Sequence, residues 1–268
     1  MASPQPPAAE EESGWNGLRR VGGLAFILVA ALAITDYAYV TYSGFQFTIT
    51  AQQVQIPVGF GSPVGVLNST YFQIGAFSAP SNPDQALRLV AANNGFLLVN
   101  LGLGVLEYLA LIPAILGLYA VLSRVNRAGS AIGLGFTLAG IFAWISILWI
   151  PISYISIANS YTKASSDILR AIYLAEAKAL PPAYNFVFYY VANGLLYAAV
   201  LIAGFVMLRG PFNRIVAYLG IAAAALGLFL TALSIPDAVT PILFVIWFVA
   251  VGYRLWRPKV LSQAATGH

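Results

Sequence analysis

Six long apolar stretches run along the chain, and polar segments of unequal length separate them. A helix that crosses the hydrocarbon core of a membrane needs roughly 20 mostly apolar residues, and the stretches come near or exceed this length. The pattern therefore predicts an all-α transmembrane helix bundle with six spans. Their expected positions are residues 21–42, 95–122, 130–160, 184–208, 215–234 and 239–253.

The longest polar connection is residues 43–88. Near its start, Phe45, Phe47 and Ile49 alternate with polar residues, and glycines and a proline follow. Because a period of two is typical of strands, one interpretation is a small β-hairpin that folds over the outer face, and the alternative is an irregular loop. An N-glycosylation sequon begins at Asn68 in this connection.

Residues 165–180 form a second connection with a predicted structure of its own. Its apolar residues recur at helical spacing, and most of its charged residues lie away from them. Ser165 or Ser166 is a suitable cap, and Pro181-Pro182 predicts the end of the helix. The segment is expected to be an interfacial helix on the outer leaflet, with a gating lid over a cavity as the alternative.

Composition excludes several classes of protein. Of the 268 residues, 60% are hydrophobic and 8% are charged, whereas a soluble domain carries about 25% charged residues. Cysteine is absent and the only histidine is His268, so the usual ligands of zinc, haem and iron–sulfur clusters are missing. We therefore expect a multi-pass protein of the cell membrane that is not an enzyme, with no catalytic, cofactor-binding or metal-binding residues.

The basic residues predict the orientation, because cytoplasmic loops carry an excess of lysine and arginine. Both termini are expected in the cytoplasm, residues 1–18 as a disordered segment and residues 258–268 as a polar tail. The basic residues are also too scattered for a nucleic-acid surface. Nine lie on the predicted inner side and four on the outer side: Arg19, Arg20, Arg124, Arg127, Arg209, Arg214, Arg254, Arg257 and Lys259, against Arg88, Lys163, Arg170 and Lys178.

Acidic and amide residues inside the spans are the candidates for chemistry, since an ionised group at the bilayer centre costs about 3 kcal/mol. Asn93, Asn100 and Glu107 recur every seven residues and would share one helix face. With Asp36 they form the candidate polar site. Glu107 is interpreted either as a neutral acid that ties helices together or as a proton- or cation-responsive site. Asp237 is expected to cap the sixth span.

Two turns end in the same Asn-Arg pair, residues 122–127 and 208–214, where Asn126 and Asn213 are expected to be N-caps. The Leu-Tyr…Val-Asn-Arg stretch of residues 118–127, and the last span through Trp247, resemble a prokaryotic six-span membrane family that is described only as a domain of unknown function. The resemblance implies the six-span layout and no activity.

The function expected from these patterns is that of a non-enzymatic accessory or structural membrane component. Its partners would be the lipid bilayer and other membrane proteins or further copies of the chain. The alternative is a small-solute or proton-coupled transporter with its polar site around Glu107. A polar cavity that reaches Glu107 would favour the alternative.

Overall fold

The structure is a computed structural model that describes residues 9–53, 83–233 and 239–257, and all regular secondary structure in these ranges is helical. The all-α prediction is confirmed. A π-helical segment, Phe186–Asn193, joins the sixth α-helix to the seventh. The α-helices are α1 Ala9–Gln53, α2 Pro83–Ala92, α3 Asn94–Leu122, α4 Arg127–Ser146, α5 Trp149–Lys163, α6 Asp167–Asn185, α7 Gly194–Met207, α8 Arg214–Ala232 and α9 Thr240–Trp256.

Five helical stretches in the described ranges are long and apolar enough to cross a membrane: Trp15–Asp36, Asn94–Leu122, Arg127–Lys163, Tyr190–Met207 and Arg214–Ala232. Such helices indicate an integral membrane protein. They coincide with five of the six predicted spans. The sixth prediction corresponds to α9, which is apolar but has 17 residues and so spans about 26 Å at 1.5 Å per residue.

The long helices form a closed ring in the order in which they occur along the chain. α1 packs against α3, α3 against α4, α4 against α7, α7 against α8, α8 against α9, and α9 against α1. Contacts across the ring, such as those of α3 with α7 or α9, are few. The ring therefore leaves room at its centre, and Glu107 lines this central space.

Glycines bring α1 into backbone contact with both of its neighbours in the ring. A Cβ added to Gly22 would lie 2.5 Å from the Cα of Gly117 on α3, and one added to Gly23 would lie 2.8 Å from the carbonyl oxygen of Gly252 on α9. The start of α1 thus meets the ends of α3 and α9, so α1 is antiparallel to both. We call this the proximal end of the bundle, and the opposite end, near Asp36, the distal end.

The third predicted span is divided into α4 and α5 at Ile147 and Leu148. Pro151 is the third residue of α5. Proline has no backbone N–H to bond the carbonyl of Ile147, and its ring would crowd that carbonyl. A new helix therefore begins just before Pro151, because the N–H groups of a first helical turn have no partner within the helix and proline loses nothing there.

The predicted caps are confirmed at both short turns. Asn126 accepts a hydrogen bond from the backbone N–H of Gly129 at 2.9 Å, and Asn213 accepts one from that of Ile215 at 2.9 Å. Each cap satisfies a donor that the first turn of a helix leaves free. The predicted cap at Asp237 lies outside the described residues.

Two predictions for the amino-terminal third need correction. Residues 45–53 belong to α1 and are not a strand, so the hairpin prediction is wrong for this part. The alternating pattern is a weak signal, because strand propensity depends strongly on neighbouring strands. The rest of the proposed hairpin and the sequon at Asn68 lie outside the described residues. α1 also begins at Ala9, within the segment 1–18 that was expected to be disordered.

The predicted helix at 165–180 is present as α6, and its cap is Ser166, whose hydroxyl accepts a hydrogen bond from the N–H of Leu169 at 3.3 Å. Its predicted end is wrong. The helix continues through Pro181 and Pro182 to Asn185 and then widens into the π-helical segment. Ile168 and Ile172 expose 74% and 47% of their surface, as a face that meets a membrane interface would.

Candidate functional site

Asp36 and Asn100 form a direct pair between α1 and α3 near the distal end. The side-chain amide of Asn100 donates a hydrogen bond to Oδ1 of Asp36 at 2.6 Å. Both residues are buried, with 3% and 4% of their surface exposed. One turn further toward the distal end, the rings of Tyr39 and Phe96 stack at 4.6 Å between centroids. The structure therefore brings two of the four predicted site residues together in a closed contact.

Asn93 lies at the junction of two helices. α2 ends at Ala92, and Asn93 is the residue before α3, where its side-chain amide donates to the carbonyl of Leu89 at 2.9 Å. The spacing of seven residues predicts a common face with Asn100 on one continuous helix, and α3 begins only after Asn93, so the shared face stays a prediction. The next residue, Asn94, bonds instead to the side chain of Asn159 on α5 at 3.3 Å.

Glu107 lies in a different setting, on the wall of a cavity at the centre of the helix ring. The cavity has a volume of about 100 Å³, and α1, α3, α4, α7 and α9 contribute to its lining together with the last residue of the π-helical segment. Six of the lining side chains are aromatic: Phe26, Tyr108, Tyr197, Phe244, Trp247 and Phe248. The residues of the candidate polar site are thus divided, because Asp36 and Asn100 do not line this cavity.

The polar groups around Glu107 are few. Thr137 and Asn193 line the cavity and are themselves buried, but the Thr137 hydroxyl donates to the carbonyl of Gly133 at 2.9 Å. Among the residues whose side chains the structure describes, none hydrogen-bonds to the Glu107 carboxyl, and no lysine or arginine lines the cavity. Glu107 is therefore the one acidic group on this aromatic-rich wall, and the Asp36 carboxyl interacts with it electrostatically from outside the wall.

Thr137 and Asn193 were missed from the sequence. Asn193 is a polar residue within an apolar stretch, which is the same signal that identified Asn100, and it ends the π-helical segment. π-helical turns occur frequently at functional sites because the extra residue redirects side chains. A polar residue that follows a run of aromatic residues in a span was the available clue.

A second polar cluster, which sequence reasoning also missed, lies at the distal end outside the ring. α2 packs on α5 there, and the Tyr161 hydroxyl and the Arg88 guanidinium both donate to Asp84, the latter at 3.3 Å. The hydrogen bond from Tyr161, followed by the bond and charge of Arg88, holds the pKa of the Asp84 carboxyl below its usual value. This cluster fastens α2 to the bundle.

The chemistry available in the cavity is that of one carboxyl among aromatic and aliphatic groups. Within the described ranges, no three residues of the types histidine, cysteine, aspartate and glutamate come together to hold a metal ion. A carboxyl inside a bundle can exchange a proton or pair with a cation.

No family model matches this chain, and neither a curated protein nor a solved structure matches it. The resemblance to a six-span family of unknown function stays a prediction.

Proposed function

We propose that this chain is a six-span protein of the cell membrane, with both termini in the cytoplasm, whose central cavity binds a small solute on a route across the bilayer. The observation that carries this proposal is the cavity inside the ring of helices, with Glu107 on its wall. Ligand sites are typically apolar clefts with a few polar groups that fix the orientation of the ligand. The role is non-enzymatic.

The proposed topology rests on two independent features. α1 and α9 bring their terminal residues to the same proximal end, as expected for an even number of spans. The excess of lysine and arginine at that end favours the cytoplasm. Reporter fusions after Arg127, Lys163 and His268 test it. We expect cytoplasmic signals at the first and third positions and an external signal at Lys163, and a cytoplasmic signal there would refute the topology.

A solute route requires that water-soluble molecules reach the cavity. Because the chain has no cysteine, single cysteines report accessibility without further changes. Thr137 lines the cavity, whereas its neighbour Phe136 is 37% exposed on α4 and absent from the cavity wall. The two residues differ in depth by about 1.5 Å. They are therefore a matched pair for reaction with a small, water-soluble methanethiosulfonate.

In liposomes, Thr137→Cys is expected to react at least about tenfold faster than Phe136→Cys, since thiolates react only where water solvates them. Equal, slow reaction of the two cysteines would show that the cavity is sealed from water and would overturn the proposal. Faster reaction at Phe136→Cys would show that this face of α4, and not the ring centre, meets water.

An accessory or structural role in a larger complex stays a prediction. Large apolar side chains are exposed around the ring, for example Phe142 at 64% and Phe205 at 55%, and a bilayer would cover them as well as a partner protein would. Extraction in mild detergent followed by measurement of the native size distinguishes a lipid covering from a partner protein. If the protein has the size of a single chain, the accessory role loses its support.

A further inference from the structure

We infer that the central cavity is a binding site for a small organic cation, a quaternary ammonium group or a compact protonated amine. The inference rests on the proposed function and names the class of solute. It follows from the charge, the aromatic lining and the size of the cavity.

The charge of the lining favours a cation. Glu107 is the only acidic side chain among the residues that line the cavity, and none of them is basic. Among the described side chains none donates a hydrogen bond to its carboxyl, and the Asp36 carboxyl interacts with it electrostatically as a like charge. An ionised carboxylate in such a space lacks a counter-charge, and ionised groups inside a bundle are costly without one. A cationic ligand would supply the missing charge.

The aromatic lining favours an organic cation over a metal ion. Metal ions such as Mg²⁺ and Ca²⁺ need several oxygen ligands, and besides Glu107 the wall offers few oxygen atoms. Ammonium groups are instead attracted to the faces of tryptophan, tyrosine and phenylalanine. Tyr197 and Phe244 stack at 5.4 Å between ring centroids, and Trp247 packs edge-on against Phe26 at 5.9 Å. These two pairs contribute four aromatic rings to the cavity lining.

The volume limits the ligand to a few atoms. The cavity measures about 100 Å³, and a cavity of about 150 Å³ accepts benzene. By this comparison the space holds about four or five non-hydrogen atoms. Tetramethylammonium meets this limit and carries a permanent charge. tert-Butanol has a similar size and shape without the charge.

The test uses the purified full-length protein in lipid nanodiscs and measures binding of radiolabelled tetramethylammonium. Glu107→Gln removes the charge and keeps the shape of the side chain, so we expect affinity to fall at least about tenfold. Asp84→Asn is the control, because it also neutralises a carboxyl but lies in the distal cluster outside the ring, away from the cavity wall. It should keep affinity within about threefold.

Two further binding measurements test the inference even if Glu107→Gln does not fold. Phe244→Leu should weaken binding about two- to thirtyfold through loss of a cation–aromatic contact. With the wild-type protein, excess tetrabutylammonium should fail to displace the label because it exceeds the cavity, whereas unlabelled tetramethylammonium should displace it.

Each result then has one meaning. Binding that is lost in Glu107→Gln and kept in Asp84→Asn supports the inference. Equal binding by wild type and Glu107→Gln overturns it, because the cation would then bind elsewhere. If tert-butanol binds and tetramethylammonium does not, the ligand is not a cation, and the inference is overturned while the proposed solute site is retained. If neither compound binds and Thr137→Cys is also inert, both the inference and the proposed function fail.

Discussion

Two stretches of the same helices, α1 and α3, meet in different ways. Around Gly22 and Gly117 the backbones touch. Four residues further along α1 and ten residues back along α3, Phe26 and Glu107 instead line the central cavity. Small residues let membrane helices approach closely, and packing then supplies the stability that the hydrophobic effect cannot supply inside a bilayer. Around Phe26 and Glu107, large aromatic residues hold the helices apart and few contacts cross the ring, so space is left for a ligand.

The two regions therefore contribute differently to stability and to binding. The glycine contact holds α1 to α3 and α9 at the proximal end, so substitutions in it should reduce stability strongly. Glu107 lines the cavity without being part of the hydrophobic core, and its substitution should change binding and leave stability almost unaltered. Phe26, Phe244 and Trp247 line the cavity and also belong to the buried core, so they serve both properties.

The largest effect is expected for Gly22→Ala. The new Cβ would lie 2.5 Å from the Cα of Gly117, so α1 and α3 would have to move apart, at a cost of about 3 kcal/mol. Unfolding in detergent measures the loss. Gly17→Ala in the same helix meets nothing within 4 Å and should be neutral or stabilising by up to about 1 kcal/mol. Equal effects of the two substitutions would contradict the backbone contact.

The next largest effect is expected at the buried pair of Asp36 and Asn100. Asn100→Leu leaves the Asp36 carboxyl buried without its donor and should cost about 1 to 2 kcal/mol of unfolding free energy. Replacing both residues by leucine removes the orphaned group, so the double variant should be more stable than Asn100→Leu. A double variant that is less stable than the single one would show that the hydrogen bond is not the main interaction of this pair.

The sequence predicted five helices that are long and apolar enough to cross a bilayer, because a run of apolar residues of that length has few other stable conformations. It also predicted the caps at Asn126 and Asn213, since capping is a local interaction. The candidate polar site grouped Asp36 with Asn100, but the direct hydrogen bond between them could not be predicted. These residues are 64 positions apart, and only the packing of α1 on α3 makes them neighbours.

The division of the polar site has a local cause that the sequence did not reveal. Whether Asn93 shares a face with Asn100 depends on where the helix begins, and the turn between α2 and α3 is one residue long. Helix boundaries are the least certain part of a prediction from sequence. The Asn93 side chain bonds back to the Leu89 carbonyl of α2 and does not join the contact of Asp36 with Asn100.

A smaller effect is expected when Glu107 is replaced by leucine. No described residue bonds to the Glu107 carboxyl, so Glu107→Leu should change the free energy of unfolding by no more than about 0.5 kcal/mol, less than the average of about 0.6 kcal/mol for an interhelical hydrogen bond in a membrane. A loss near 1.7 kcal/mol, the upper end for such bonds, would instead identify Glu107 as a tie between helices.

The smallest effect is expected at the distal cluster. Tyr161→Phe removes the main hydrogen bond to Asp84, whose side chain is 41% exposed, so screening by water should limit the loss to roughly 0.3 kcal/mol. Because the folded-state pKa of Asp84 is lowered, its contribution is present above the unfolded pKa of about 4 and disappears as the pH falls through the folded value. The difference in melting temperature between wild type and Tyr161→Phe should therefore be present at neutral pH and shrink in acid. A difference that persists unchanged in acid would mean that the hydroxyl stabilises the fold through a contact other than the Asp84 carboxylate.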